Sequence, residues 1–200
     1  MTEQCHATFR IWRCWDRLWW TLPRDSNTLQ GIDASDFILG KVRSRKSFYE
    51  MDLLVHLAGN GPRGGLAIDV GANIGNHTVF FAKYLADQVL SIEACRKIID
   101  VLAINLAKNT TGNVICENVA AGASVGTARI QMPSGRNKGV AQLADLSADG
   151  ELIDVMPLDL ILSRQSIDVR QQRVQNVRLN RTSERERVKE CSRRMMLMAE

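Results

Sequence analysis

The 200-residue chain has no apolar run close to the roughly 20 residues that a membrane-spanning helix requires. Its first residues do not form the unbroken apolar stretch of a secretory signal either, because Arg10, Arg13, Asp16 and Arg17 interrupt it. The cysteines stand at positions 5, 14, 95, 116 and 191 with no C-x-x-C pair among them. An odd, unpaired set argues against a disulfide framework and against a zinc site. His6, His56 and His77 are far apart, and none lies at ligand spacing from another His or Cys. These absences lead to the expectation of a soluble protein of the reducing cytoplasm that binds no metal.

Most of the chain also lacks an excess of charge of one sign. Residues 1–169 carry 17 Lys and Arg against 18 Asp and Glu, whereas residues 170–200 carry 9 against 4. The formal charge of +4 therefore belongs to the tail, which has no glycine, proline or aromatic residue. With 45% apolar residues, the length suits one core with extensions.

Residues 1–46 read as an amphipathic helix, a polar turn at 23–27 and a basic connector at 41–46. In the first of these, Ile11, Trp12, Trp15, Leu18, Trp19 and Leu22 recur at helical spacing with arginines between them. Packing of this face onto the domain is favoured over an interfacial membrane helix, which has the same pattern. Residues 48–57 suggest a helix closed by the Gly and Pro cluster at 59–65. Beyond it, residues 66–70 form a short apolar run between turn signals, as a strand buried on both faces would. A helix over 76–86, a strand over 89–92, a helix over 95–108 and a strand over 114–119 follow. This alternation builds a parallel sheet through right-handed crossovers. Residues 127–132 and 152–156 read as further strands, with a polar loop at 133–139. Pro157 reads as the first residue of a short helix to Leu162.

The chemistry is concentrated in the stretch Ile68-Asp69-Val70-Gly71-Ala72-Asn73-Ile74-Gly75-Asn76-His77-Thr78. Gly71 can adopt backbone angles closed to other residues and lets the chain approach a ligand, while Gly75 permits close packing at the helix start. The amides of Asn76, His77 and Thr78, at a helix N-terminus, favour an anion. Glu93, 18 residues after Gly75 and directly after the second strand, is placed to accept hydrogen bonds from both hydroxyls of a ribose. Asp69 is placed either to face a cofactor ammonium group or to hold the turn through its amides. A nicotinamide or flavin dinucleotide fits less well, because the middle glycine that lets the backbone reach a pyrophosphate is replaced by Asn73. S-adenosylmethionine carries no pyrophosphate.

The run Asp69-Val70-Gly71-Ala72-Asn73-Ile74-Gly75, with Asn76-His77-Thr78 and later Ile92-Glu93-Ala94, resembles the FkbM family of S-adenosylmethionine-dependent methyltransferases. Phe48-Tyr49-Glu50 and Asn118-Val119-Ala120-Ala121-Gly122 resemble that family's segments before the first strand and after the third. The resemblance covers residues 47–168. It implies an α/β, Rossmann-like class I methyltransferase sheet with helices on both faces, and methyl transfer to a hydroxyl of a sugar, glycan or secondary metabolite. It implies a cofactor site at Asp69, Gly71, Ala72, Asn73, Gly75, Asn76, His77, Thr78, Glu93 and Ala94, with Glu117 and Asn118 near the adenine or in a solvated loop. No catalytic residue follows from it, and the acceptor and the oligomeric state stay open.

After Val169 the resemblance stops. The family continues into a strand reading like lysine, isoleucine, aspartate, valine, glutamate, glycine, where this chain reads Arg170-Gln171-Gln172-Arg173-Val174-Gln175. The expectation is an N-terminal extension at 1–46, a methyltransferase domain at 47–169 and a basic tail at 170–200, truncated or translated out of frame. C-terminal strands would be missing or atypical, leaving the first strand with an unpaired apolar edge. Two rival readings follow: a remnant that binds cofactor or nothing, and a nucleic-acid-binding arm formed by the tail. The second is weaker, because the tail has no interleaved aromatics and its glutamates offset nearly half its positive charge.

Overall fold

The computed structural model describes residues 29–33, 36–60, 63–110, 112–131, 142–144, 149–167 and 174–177. The aromatic stripe at 11–22, His6, Cys5, Cys14, Cys191, the loop at 133–139, Asp168 and most of the basic tail lie outside these residues.

Strand β1 (Leu66–Val70) buries its first four residues. It has this protection because it pairs with parallel strands on both sides: β2 (Gln88–Ile92) on one edge and β8 (Val174–Val177) on the other. With β3 (Val114–Glu117) the sheet has the order β3-β2-β1-β8. Side chains alternate across it. Ala67 and Val89 face a cluster that includes Phe80, Phe81, Leu102 and Leu106. Leu66, Ile68, Leu90 and Ile92 face Ile161, Leu162 and Ile167.

The helices are α1 (Phe37–Arg45), α2 (Met51–Asn60), α3 (Asn76–Tyr84), α4 (Arg96–Asn109) and α5 (Leu158–Arg164). The first four supply the cluster on the Ala67 face, and α5 covers the opposite face. Helices therefore cover both faces of a parallel sheet, a Rossmann-like α/β fold.

A second sheet, order β4-β7-β5-β6, is formed by β4 (Ala120–Ala121), β5 (Gly126–Gln131), β6 (Gln142–Ala144) and β7 (Glu151–Met156). Its β4–β7 pair is parallel, while β5 runs antiparallel to β6 and β7. Ala120, Ile130 and Ile153 from this sheet pack with Cys95 and Ile98 at the start of α4.

Three expectations are corrected. The basic connector at 41–46 lies largely within α1, where Asp36 accepts a hydrogen bond from the Leu39 amide at 2.9 Å as N-cap. Its buried Leu39 and Val42 join the same core as Leu29 and Phe80, so apolar packing continues across residue 46. The edge of β1 is not left unpaired, because Val174–Val177 fills it in register from Leu66↔Val174 to Asp69↔Val177. The strand read over 114–119 is divided: β3 ends at Glu117 and β4 begins at Ala120 in the other sheet. A smaller shift concerns Pro157, which is the N-cap of α5 rather than its first helical residue.

Candidate cofactor site

β1 is followed by a turn that closes over the end of β2: the amides of Gly71 and Ala72 both donate to the Ile92 carbonyl, at 2.9 and 3.1 Å. Three of its five residues have left-handed backbones, Gly71 (φ 78), Asn73 (φ 52) and Gly75 (φ 88). The two glycines serve different ends. A Cβ at Gly71 would meet no atom within 4 Å, so that position opens outward beyond the strand end. A Cβ at Gly75 would lie 2.5 Å from Leu102 Cδ1, so the start of α3 packs directly on α4. Asn73 tolerates its positive φ as few non-glycine residues do, and its Oδ1 accepts from the Ile74 amide at 2.7 Å.

Glu93, just beyond β2, ties this turn to the start of α4. Its Oε2 accepts from the Asn73 amide and its Oε1 from the Cys95 amide, both at 2.9 Å. Burial raises its pKa, and the amides of Cys95, Asn73 and Ala94 pull it back. A carboxylate offers about four lone-pair sites, so two amides leave it able to accept from a diol.

Asp69 lies inside the sheet. Its Oδ2 accepts from the Thr78 hydroxyl at 2.6 Å, and that hydroxyl lies 3.1 Å from Ser91 Oγ. Burial raises the Asp69 carboxyl to about 6; the Thr78 hydrogen bond opposes the shift, and the Glu93 charge adds to it. Asp69 thus holds the first turn of α3 through Thr78, a third arrangement beside the two expected from sequence.

The remaining expected residues fall into two groups. Asn76 and His77 are engaged away from the turn. Asn76 clamps one backbone residue, accepting from the Tyr49 amide at 2.9 Å and donating to its carbonyl at 3.0 Å. His77 stacks on Phe81 with ring centroids 6.2 Å apart, and its Nε2 faces Glu50 Oε2 at 3.5 Å. Burial lowers the imidazole pKa to about 4, so at neutral pH this contact is not an ion pair.

Ala94, Glu117 and Asn118 gather at the strand ends beside Glu93. Asn118 Nδ2 donates to the carbonyls of Glu93 and Ala94 at 2.9 and 2.8 Å. The Glu117 carbonyl accepts from the Glu93 amide at 3.0 Å, and its side chain accepts from Gln165 Nε2.

Sequence reasoning missed two residues. Asn105, fully buried on α4, accepts from the Gln30 amide at 2.7 Å and donates to the carbonyls of Gln30 and Ile74 at 2.8 and 2.7 Å. It thereby fastens an N-terminal segment to the glycine turn. Its signal was a polar residue on the apolar stripe of Ile98, Leu102 and Leu106. Gln165, at the C-cap of α5, had no such signal. Among the described residues, no group of three or more His, Cys, Asp or Glu is placed to hold a metal ion. Among the same residues, no helix is long and apolar enough to cross a membrane.

No protein-family model matches the chain, and no curated protein matches its sequence. Solved structures do resemble it. The methyltransferase FkbM from Methylobacillus flagellatus KT is 19% identical over 66% of this chain and 29% of that one, with a TM-score of 0.39. An rRNA-methylase-like protein from Clostridium thermocellum is 16% identical over 46% of this chain and 56% of that one, with a TM-score of 0.35. Phosphoethanolamine N-methyltransferase 1 of Haemonchus contortus, in complex with phosphoethanolamine and S-adenosylhomocysteine, is 23% identical over 58% of this chain and 23% of that one, with a TM-score of 0.31. In each case the match spans less than two thirds of the solved chain.

Proposed function

We propose that this chain binds S-adenosylmethionine at the carboxyl ends of β1, β2 and β3 and acts as a methyltransferase of the FkbM type on a hydroxyl acceptor. The observation that carries this reading is the pairing of the open Gly71 turn with the Glu93 carboxylate beyond the next strand. Both lie at the carboxyl ends of the parallel strands, where α/β sheets hold their ligands. On this reading Glu93 accepts from the two ribose hydroxyls, and the outward face of Gly71 lets the cofactor lie against the backbone. The first turn of α3 presents the positive end of a helix dipole to the methionine carboxylate.

When bound, the cofactor supplies an electrophilic methyl group on sulfur. What the chain contributes is placement: an acceptor oxygen held in line at about 3 Å gains most of its acceleration from position alone. A base that takes the hydroxyl proton would add to this, and no residue is assigned to that role.

Calorimetric titration of the full chain tests the reading. S-adenosylmethionine should bind saturably and NAD should not. Glu93→Ala should weaken S-adenosylmethionine about tenfold or more through the loss of two hydrogen bonds to a charged acceptor. Well-folded protein that binds no S-adenosylmethionine, or that binds NAD more tightly, contradicts it.

A further inference from the structure

Asn105 is fully buried on the face of α4 that also carries Leu102. Leu102 occupies the space that a side chain at Gly75 would need. The turn therefore rests on α4 at two successive points, Gly75 on Leu102 and Ile74 on Asn105, and the second contact is polar, a 2.7 Å bond from Asn105 Nδ2 to the Ile74 carbonyl. That carbonyl stands between the left-handed residues Asn73 and Gly75, and the helical bonds of α3 begin one residue later, from the Val79 amide to the Gly75 carbonyl. The other Nδ2 hydrogen goes to the Gln30 carbonyl at 2.8 Å, and Oδ1 accepts from the Gln30 amide at 2.7 Å. Both donors of the side-chain amide are thereby committed, so a rotation that breaks its hold on one segment breaks its hold on the other. The N-terminal segment is itself closely packed. Leu29 shares a core with Ala72 and Ile74, while Ile32 packs against that core and against the cluster of Cys95 and Ile98. Asp36 Oδ2 accepts from the Ile32 amide at 3.3 Å, and a Cβ at Gly31 would lie 2.7 Å from Asp36 Cβ.

We propose that Asn105 is a positioning residue for the glycine turn, and that through it residues 29–33 set the affinity of the turn for its cofactor. This rests on the reading that the turn binds S-adenosylmethionine. A buried carbonyl without a donor costs about as much as a lost hydrogen bond, so without Asn105 the Ile74 peptide group gains from turning toward another partner. Its neighbour Asn73 donates its amide to Glu93 Oε2, so a change at Ile74 reaches the carboxylate read as the ribose acceptor. With Asn105 in place the turn and Glu93 are held in one arrangement before the ligand arrives, which lowers the ordering cost of binding. Linkage makes the effect reciprocal. Whatever factor the Gln30 contact adds to cofactor affinity, the cofactor adds to the stability of the Gln30 contact.

The test titrates full-length variants with S-adenosylmethionine well below their melting midpoints, so that only folded molecules are compared. Asn105→Ala removes the whole contact. Gln30→Pro, at an exposed position away from the turn, removes only the amide that Asn105 Oδ1 accepts. Each should weaken the cofactor about threefold or more, as the loss of one uncharged hydrogen bond would. A merely structural residue would lower the melting midpoint and leave the affinity of the folded molecules as it was, so unchanged affinity in either folded variant overturns the proposal. Should Asn105→Ala fail to fold, Gln30→Pro decides. In the unsubstituted chain, saturating cofactor should also slow hydrogen exchange at the Gln30 amide by about threefold or more, the same factor by linkage. A Gln30 amide indifferent to bound cofactor overturns the proposal as well. Failure of the unsubstituted chain to bind S-adenosylmethionine at all would instead remove the reading on which it rests.

Discussion

Asp69 on β1, bonded to Thr78, and His77, the residue before Thr78 in the first turn of α3, carry opposite pH dependences. The Asp69 carboxyl lies at about 6 against an ordinary 3.8. Its contribution to stability is full below 3.8 and is lost as pH rises through 6. The His77 imidazole lies at about 4 against an ordinary 6.5. Its contribution is full above 6.5 and is lost as pH falls through 4. Each shift corresponds to about 3 kcal/mol, so between pH 4 and 6 the two largely cancel. His77→Phe keeps a ring to stack on Phe81 and leaves Asp69 unopposed. On going from pH 7 to 4.5, urea unfolding should show the variant gaining roughly 2 kcal/mol relative to the parent chain. Parallel stability curves would show that His77 is not buried neutral.

At the scale of elements, the strand that decides the fold is the one least visible in the sequence. Val174–Val177 reads Val-Gln-Asn-Val within a charged tail, and nothing in four such residues marks a strand. What makes it one is the vacancy beside β1, whose backbone groups need partners and whose residues 66–69 are buried. A chain ending at Ile167 should lose its cooperative melting transition and elute as aggregate in size-exclusion chromatography. A soluble monomer with an unchanged midpoint would show that β8 contributes nothing. Helix α1 escaped notice for a related reason: Arg43 and Arg45 give the segment a basic look, while the buried pair Leu39 and Val42 is too short a periodic signal to stand out. By contrast β1, α3, β2 and α4 were legible to within a few residues, because in each the apolar period is unbroken and a glycine or polar turn bounds it. The pairing of β5 with β6 and β7 was not, since strand partners at long separation leave no mark on local periodicity.

For the molecule as a whole, separation along the chain decides which parts of the site could be read. The Gly71 turn and Glu93 are set by neighbouring segments of one β-α-β unit, so their spacing in sequence is their spacing in structure. Asn105 and Gln165 come from farther along the chain and meet the turn or Glu117 only after the layers pack. The N-terminal residues 29–33 likewise reach the turn through the Asn105 side chain, and Leu29 packs in the same core as Ala72 and Ile74. The site is thus assembled from one local motif and several distant supports, and a ligand there should be felt by the motif first.

Hydrogen exchange with and without S-adenosylmethionine tests this most directly. Cofactor should slow exchange at residues 69–78 and 91–95, with weaker protection at 115–118 and little change in β5 to β7. Protection centred on the second sheet, or none in a folded protein at saturating cofactor, would contradict it.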